Sequence, residues 1–233
     1  MTFMKKLFRV IKIFVLTFFL ITNLVVLVFK FVNPPTTAFI QSSLSELVLS
    51  DFSFFPIERN WFSYDEIADD IKVAVIASED QKFSSHFGFD LEQIEKAYKD
   101  IQRGRRFRGA STITQQTVKN LFLWKKQSFI RKGVEVYFTL LIELYWSKER
   151  ILEVYLNIAQ FGENIYGVGT ASKVYYKKDP AKLKRGEAAM LAAVLPNPIR
   201  YRAFRPSSFL LGRRDRILRQ MNLIGGKSYL KEL

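Results

Sequence analysis

The stretch VAVIASEDQKFSSHFGFD, residues 73 to 90, sets Glu79, Asp80 and the chain's only histidine, His86, where an amphipathic helix should be ending. Counting back from Glu79 in fours gives Val75, Ile71 and Ile67. The Glu79 carboxylate therefore projects from the apolar stripe that should face the core, with Asp80 rotated about 100° away. A carboxylate at such an address either finds a cationic partner or has its pKa raised by desolvation, and raised carboxylates serve proton transfer near neutral pH. The plainer reading is a last-turn glutamate that reaches solvent or a buried arginine. His86 reads as a structural donor or acceptor rather than a catalyst.

Two further stretches could do chemistry. In GASTITQQTVKN (109 to 120) a glycine-containing loop runs into Ser111, Thr112 and Thr114 at a helix start, with Gln115, Gln116, Lys119 and Asn120 one turn inside. Free backbone N–H groups, hydroxyls and a lysine suit an oxyanion or a sugar hydroxyl. The GK[ST] order of a Walker loop is missing, and a well-capped helix with a polar face is the bland alternative. In RKGVE (131 to 135) Arg131 and Glu135 stand four apart on one helical face, a spacing that usually means a surface ion pair worth a few tenths of a kcal/mol. Here Lys119, Arg131, Lys132 and the basic loop Arg103 to Arg108 add positive charge to a carboxylate-bearing set. That combination suits a base working beside a bound phosphate.

The elements that must position these groups are helical. Ser63 and Glu66 have capping-box spacing ahead of Ile67, Ile71 and Val75, and Asp90 with Gln93 repeats the start signal. Thr112 with Gln115 opens a third helix. Others are expected over about 129 to 146, 148 to 159 after a Ser147 cap, 165 to 176, the GEAAMLAAVL run before Pro196, and about Ser208 to Leu223, stopping at Gly225 and Gly226. There is no Asn-Gly hairpin signal, no train of alternating strands and no repeat. The fold class expected is all-α, in one domain.

With 233 residues, 48 % hydrophobic and 25 % charged, the chain has room for one ordinary domain and an appendage. The lack of cysteine excludes disulfides and thiolate metal sites, and a single histidine excludes a His-rich zinc site. A hard metal would have to sit on carboxylates. The formal charge is +14, of which Lys5, Lys6, Arg9, Lys12 and Lys30 supply five. The remainder gives the body a preference for an anionic partner, whether nucleic acid, an anionic membrane surface or a phosphate-bearing substrate, with simple solubility as the alternative.

Residues 13 to 29 are seventeen in a row without a charge. With Phe31 and Val32 they reach the roughly 20 needed to cross a bilayer. Basic residues before the run place the N-terminus in the cytoplasm and everything after about residue 33 outside. No small-residue cleavage pattern follows, which favours an uncleaved signal anchor over a cleaved signal peptide. The expected organisation is a basic cytoplasmic tail (1–12), a transmembrane anchor (13–32), a linker and membrane-proximal segment (33–60) and a globular domain (61–233). The second apolar stretch, 38 to 55, is too interrupted to span and either packs as an ordinary helix or lies on the outer leaflet.

EDQKFSSHFGFD resembles the signature EDxxFxxHxGxD, GASTITQQTVKN resembles GGSTITQQLVKN, and RKGVE fits RKxxE. KERILEVYLNIAQFGENIYGVGTASKVYY resembles a KxxILExYLN…G…YG…AxxYF block, and EAAMLAAVLPNP completes the order. These are the motifs of glycosyltransferase family 51, the peptidoglycan glycosyltransferase module of class A penicillin-binding proteins, and they run from about residue 61 to 200. Because no penicillin-binding domain follows, the resemblance is to the monofunctional, membrane-anchored branch.

The resemblance implies a lysozyme-like helical fold with a small jaw lobe. It also implies polymerisation of undecaprenyl-pyrophosphoryl disaccharide-pentapeptide (lipid II) into β-1,4-linked glycan at the outer face of the cytoplasmic membrane. Carried over by position, Glu79 matches the general base for the acceptor 4-hydroxyl and Glu135 the second glutamate, on the donor side. Lys119 and Arg131 match the cations that hold the donor pyrophosphate, with Ser111, Thr112, Gln116 and Asn120 lining the cleft. Asp80, Phe83, His86 and Lys132 match supporting positions. No cofactor is implied as required, although Mg²⁺ or Mn²⁺ could assist. The implied partners are lipid II, the growing glycan, membrane lipids and other cell-wall synthases, with no nucleic acid. Ala110 stands where the family has a second glycine, and TASKVYY where EAAAQHYF is common; neither removes a proton-transfer or phosphate-binding group. A lytic hydrolase and a catalytically dead scaffold are the competing readings.

Overall fold

The computed structural model describes residues 2–41, 61–104, 111–126 and 128–233. The basic loop from Arg105 to Ala110, including the Ala110 departure, lies outside them, as does the apolar stretch from residue 42 to 55. The chain divides into two units, Met1–Pro34 and Pro35–Leu233.

The first unit is one helix, α1 (Thr2–Phe31). From Met4 to Phe31 it is long and apolar enough to cross a membrane. The basic residues at its start belong to the same continuous helix as the apolar run.

The second unit is built from α2 (Asp69–Glu79), α3 (Leu91–Gln102), α4 (Ile113–Phe122), α5 (Phe129–Tyr145) and α6 (Lys148–Ile158), then α7 (Val168–Tyr176), α8 (Arg185–Val194) and α9 (Ser208–Leu223). Most starts are fixed by a local side chain. Asp90 accepts from Gln93 N, Ser128 from Arg131 N, Ser147 from Arg150 N and Ser207 from Leu210 N. Each such cap is worth about 1 kcal/mol. At α4 the capping box of Thr112 and Gln115 forms as expected.

Two expectations are corrected. The Ser63–Glu66 capping box closes a short 3-10 turn, Tyr64–Glu66. The helix itself starts at Asp69 without a side-chain cap, because Ile67 is extended (ψ 130°) and breaks the run. The helix expected over 165 to 176 begins only at Val168, since Ile165–Tyr166 (β2) pairs antiparallel with Gln160–Gly162 (β1). Asn164, at φ 56°, turns that small hairpin. What holds it is packing: Phe161 and Tyr166 are buried in the core.

Two packed clusters flank the site. In one, α2 packs on α8 and α9. Ile71, Ala74, Val75 and Ile76 meet a helix whose alanines at 188, 189, 192 and 193 are all buried, and small side chains allow close approach. In the other, α4 packs on α5 and α6 through Ile113, Val118, Ile142, Leu152 and Leu156. Each buried Leu or Ile contributes about 1.5–3 kcal/mol relative to exposure. The chain entering this body is pinned on α6: Glu153 accepts from Trp61 Nε1 and Tyr64 N, both at 3.0 Å, while Asn157 bonds the N–H and C=O of Phe62.

Candidate active site

Glu79 is the last residue of α2, and its carboxylate is only 12 % exposed. It has a cationic partner as well as neutral ones. Ser78 Oγ donates to Oε1 at 2.8 Å, Gln116 Nε2 to Oε2 at 3.1 Å, and the Arg213 guanidinium of α9 stands 3.5 Å from Oε1. Gln116 is itself fixed by Tyr155, whose hydroxyl donates to Oε1 at 3.1 Å. Burial, reinforced by the charges of Glu79 and Asp80, pushes that phenol well above its ordinary pKa. It therefore stays a neutral donor.

Asp80, one residue on, leaves the helix with φ −161° and turns inward, its side chain 2 % exposed. One oxygen meets His86 Nε2 at 2.8 Å and the other accepts from Ile113 N at 3.0 Å, at the N-terminus of α4. A carboxylate is favoured there by the helix dipole. Phe83 is fully buried beneath the same loop, with the Lys148 ammonium 4.7 Å from its ring centre. Thr112 Oγ1 donates to Gly88 O at 2.7 Å. Gly88, at φ +76°, has no room for a Cβ, which would lie 2.6 Å from Thr139 Cγ2. Lys148 closes the arrangement, donating to His86 O and to buried Glu143, which also accepts from Thr114. Asp80, Phe83, His86 and Thr112 thus lock the loop after Glu79 to α4.

The cationic half comes from α4 and α5. Arg131 donates to Glu135 Oε2 at 3.1 Å and Lys132 to Oε1 at 2.5 Å; Glu135 is 4 % exposed. The Arg131 Nε donor is buried with no partner among the described residues. Lys119 carries no salt bridge among the described residues. Burial pulls its pKa below the usual lysine value, opposed first by the Glu135 charge and more weakly by Glu79. Lys119 therefore sits within electrostatic reach of both carboxylates. Phe39 places its ring 5.9 Å from the Lys119 ammonium. Asn120 is half-buried on the same helix.

An open cavity of about 390 Å³ lies at the mouth, lined by Glu79, Asp80, Lys82, Lys96, Ser111 and Thr112 among others. Ser111 is exposed there, whereas Thr112 is buried and committed to its cap. Glu79 touches Arg213 rather than Lys119 or Arg131, and its charge is still felt at Lys119. Arg213 and Ser78 were not singled out by sequence, since an arginine 134 residues from its carboxylate leaves no local signal. Tyr155 and Lys148 lie inside a quoted motif, but their partners do not follow from it. Among the described residues no group of three or more His, Asp or Glu is placed to hold a metal ion.

This is a helical body in which a largely enclosed carboxylate on one helix borders an open cleft, with a cluster of cations on two further helices, an arrangement suited to an enzyme. The family model described as Transglycosylase matches residues 47–222, and the chain belongs to that family. It is 50 % identical over 211 residues to the biosynthetic peptidoglycan transglycosylase of Pseudomonas entomophila (strain L48), covering 90 % of this chain and 88 % of the relative. The protein of the same description from Pasteurella multocida (strain Pm70) is 47 % identical over 232 residues, 99 % of this chain and 92 % of its own. The one from Bacteroides thetaiotaomicron is 47 % identical over 221 residues, 94 % and 88 %. The all-α fold and glycosyltransferase activity are thereby established for this chain.

Proposed function

We propose that this transglycosylase polymerises lipid II into β-1,4-linked glycan, inverting the anomeric carbon and releasing undecaprenyl pyrophosphate. The action on peptidoglycan carries over from the relatives' names and from five ordered motifs. The observation that carries the mechanism is Lys119, half-buried and without a salt bridge among the described residues, yet within electrostatic reach of both Glu135 and Glu79.

Glu79 takes the proton of the acceptor 4-hydroxyl as that oxygen attacks C1 of the donor. The C1–O bond to pyrophosphate breaks in the same in-line displacement, so an α-linked donor gives a β-glycoside without a covalent glycosyl-enzyme, as inverting hydrolases achieve with water. Lys119 and Arg131 stabilise the negative charge that grows on the departing diphosphate. Glu135, gripped by Arg131 and Lys132, assists the donor side by fixing the guanidinium. Ser111, Gln116 and Asn120 line the cleft; Thr112, Asp80, Phe83 and His86 hold its frame. An uncharged glycan substrate would leave the cations without a task, which disfavours the lytic reading. No cofactor is needed for these steps, and Mg²⁺ or Mn²⁺ would act, if at all, on the pyrophosphate.

In this reading α1 is a single-pass anchor in the cytoplasmic membrane, with the basic tail inside and the domain from residue 61 on the outer face. Confinement to the bilayer raises its effective concentration toward a lipid-linked donor. Membrane lipids and other wall synthases are its partners, and nucleic acid is not.

The test is polymerisation of lipid II by the full chain in detergent, with and without chelator. Expected products are β-linked strands cut by a β-specific muramidase and one undecaprenyl pyrophosphate per bond formed. Strands resistant to that muramidase, or no strands, would reject the reading.

A further inference from the structure

Between α8 and α9 the chain runs PNPIRYRAFRPSSF, residues 196 to 209, and no acidic residue occurs from 188 to 214. Arg200, Arg202 and Arg205 are exposed, and none has an ion pair among the described residues. Interleaved with them are Ile199, Phe204 and Phe209, each more than half exposed. The rings are not loose. Phe204 stacks on Tyr175 at 6.4 Å and 15°, and Phe209 packs on Tyr201 at 5.7 Å. One turn after Phe209, on the same helix, Arg213 reaches Glu79. This surface therefore joins the site from α9, whereas Lys119 and Arg131 enter from α4 and α5.

We infer that the 199–209 connection is a binding surface for the peptide-bearing disaccharide of the acceptor, with stem-peptide carboxylates on the arginines and sugar faces on the aromatic rings. The inference rests on the lipid II reading above and extends it to the part of the substrate away from the reacting atoms. Guanidinium groups pair carboxylates through two parallel hydrogen bonds, and exposed apolar patches of this kind mark interaction sites. A bilayer is the other amphiphilic anion such a surface would suit. Two features favour the discrete ligand: continuity with Glu79 through Arg213, and a recess of about 440 Å³ beside the loop, lined in part by Lys184, Ala203, Pro206 and Arg214. The recess holds one carboxylate, Glu187, already paired with Lys178 at 2.5 Å. A branched ligand fills a recess that a flat membrane does not.

The direct test titrates the full chain in nonionic detergent with soluble disaccharide-pentapeptide lacking lipid and pyrophosphate. Saturable binding is expected, weakened about tenfold in the R200A/R202A/R205A triple variant, as the loss of several exposed ion pairs predicts. The corresponding triple lysine variant should recover most of it. Absence of binding, or equal binding by wild type and the alanine variant, overturns the inference. In polymerisation, the alanine variant should raise KM for lipid II about tenfold with kcat within twofold, and by less than twofold for lipid II with amidated stem carboxylates. Polymerisation by the wild type with an indifferent variant sinks the peptide surface alone. A wild type that makes no polymer sinks the lipid II reading, and the titration still judges the surface. A variant defect that follows anionic-lipid content in reconstituted vesicles, and not stem charge, assigns the loop to the bilayer and overturns it as well.

Discussion

The two halves of the site solve opposite problems. Around Glu79 every oxygen is already spoken for: Ser78, Gln116 and Arg213 hold the carboxylate in one orientation before any substrate arrives. Around Lys119 and Arg131 charge is left over among the described residues: a half-buried lysine without a salt bridge, and a buried Nε donor without an acceptor. A proposed base must be aimed, and two neutral hydrogen bonds with one longer ion pair aim it. In the proposed mechanism the leaving-group side must keep capacity for the anion that forms only as the bond breaks; Glu135 takes up part of Arg131 and Lys132, and the Lys119 ammonium and the Arg131 Nε keep that capacity among the described residues.

Four experiments would break or sharpen this contrast. Glu79→Gln keeps the shape and the Gln116 contact region but removes the proton acceptor, so polymerisation should fall about 10³-fold with lipid II binding retained; near-normal turnover in a lipid II assay would remove Glu79 from its role. Lys119→Met should cost about 10²–10³-fold in kcat, the scale of removing one stabiliser of developing charge, and a change confined to KM would mean the lysine only binds. Lys148→Met leaves Glu143 buried with Thr114 as its one remaining partner among the described residues, which should lower stability by about 3 kcal/mol in chemical denaturation. If the midpoint does not move, the network beneath the loop is not what joins the halves.

The smallest effect is a pH shift. Because burial lowers the Lys119 pKa, the protonated form, which is proposed to hold the pyrophosphate, is lost at a lower pH than for an ordinary lysine. Stability runs the opposite way: the folded state bears the cost of the desolvated ammonium at low pH and sheds it as pH rises from the lowered folded-state value toward the ordinary one. The alkaline limb of kcat/KM should therefore lie below the usual lysine range and move upward in Lys119→Arg. A limb that stays put would assign it to another group.

How far these features were legible depends on how local their causes are. Helix starts at Asp90, Thr112 and Ser147 were readable because a cap and its donor lie three residues apart, whereas the caps at Ser128 and Ser207 emerge from the structure. Glu79 was readable because a four-residue period exposes a charge on an apolar stripe. The Ser63 box misled because its geometry also fits one 3-10 turn, and only the extended Ile67 separates the cases. The β1–β2 hairpin was invisible because five residues carry no alternation, and burial of Phe161 and Tyr166 decides it. Arg213 was missed for want of any local spacing to its partner. Residues 105 to 110, the basic loop on which part of the charge argument leaned, lie outside the described chain.

One feature of α4 reaches further. Gln116 touches the base and Lys119 stands on the cationic side, three residues along the same helix, a rise of about 4.5 Å. Asp80 clamps the start of that helix through Ile113. In the proposed mechanism the gap between the oxygen that attacks and the phosphate that departs would thus be ruled off by less than one rigid turn. Inserting a single residue between positions 116 and 119 would swing Lys119 about 100° away and leave both halves intact but out of step.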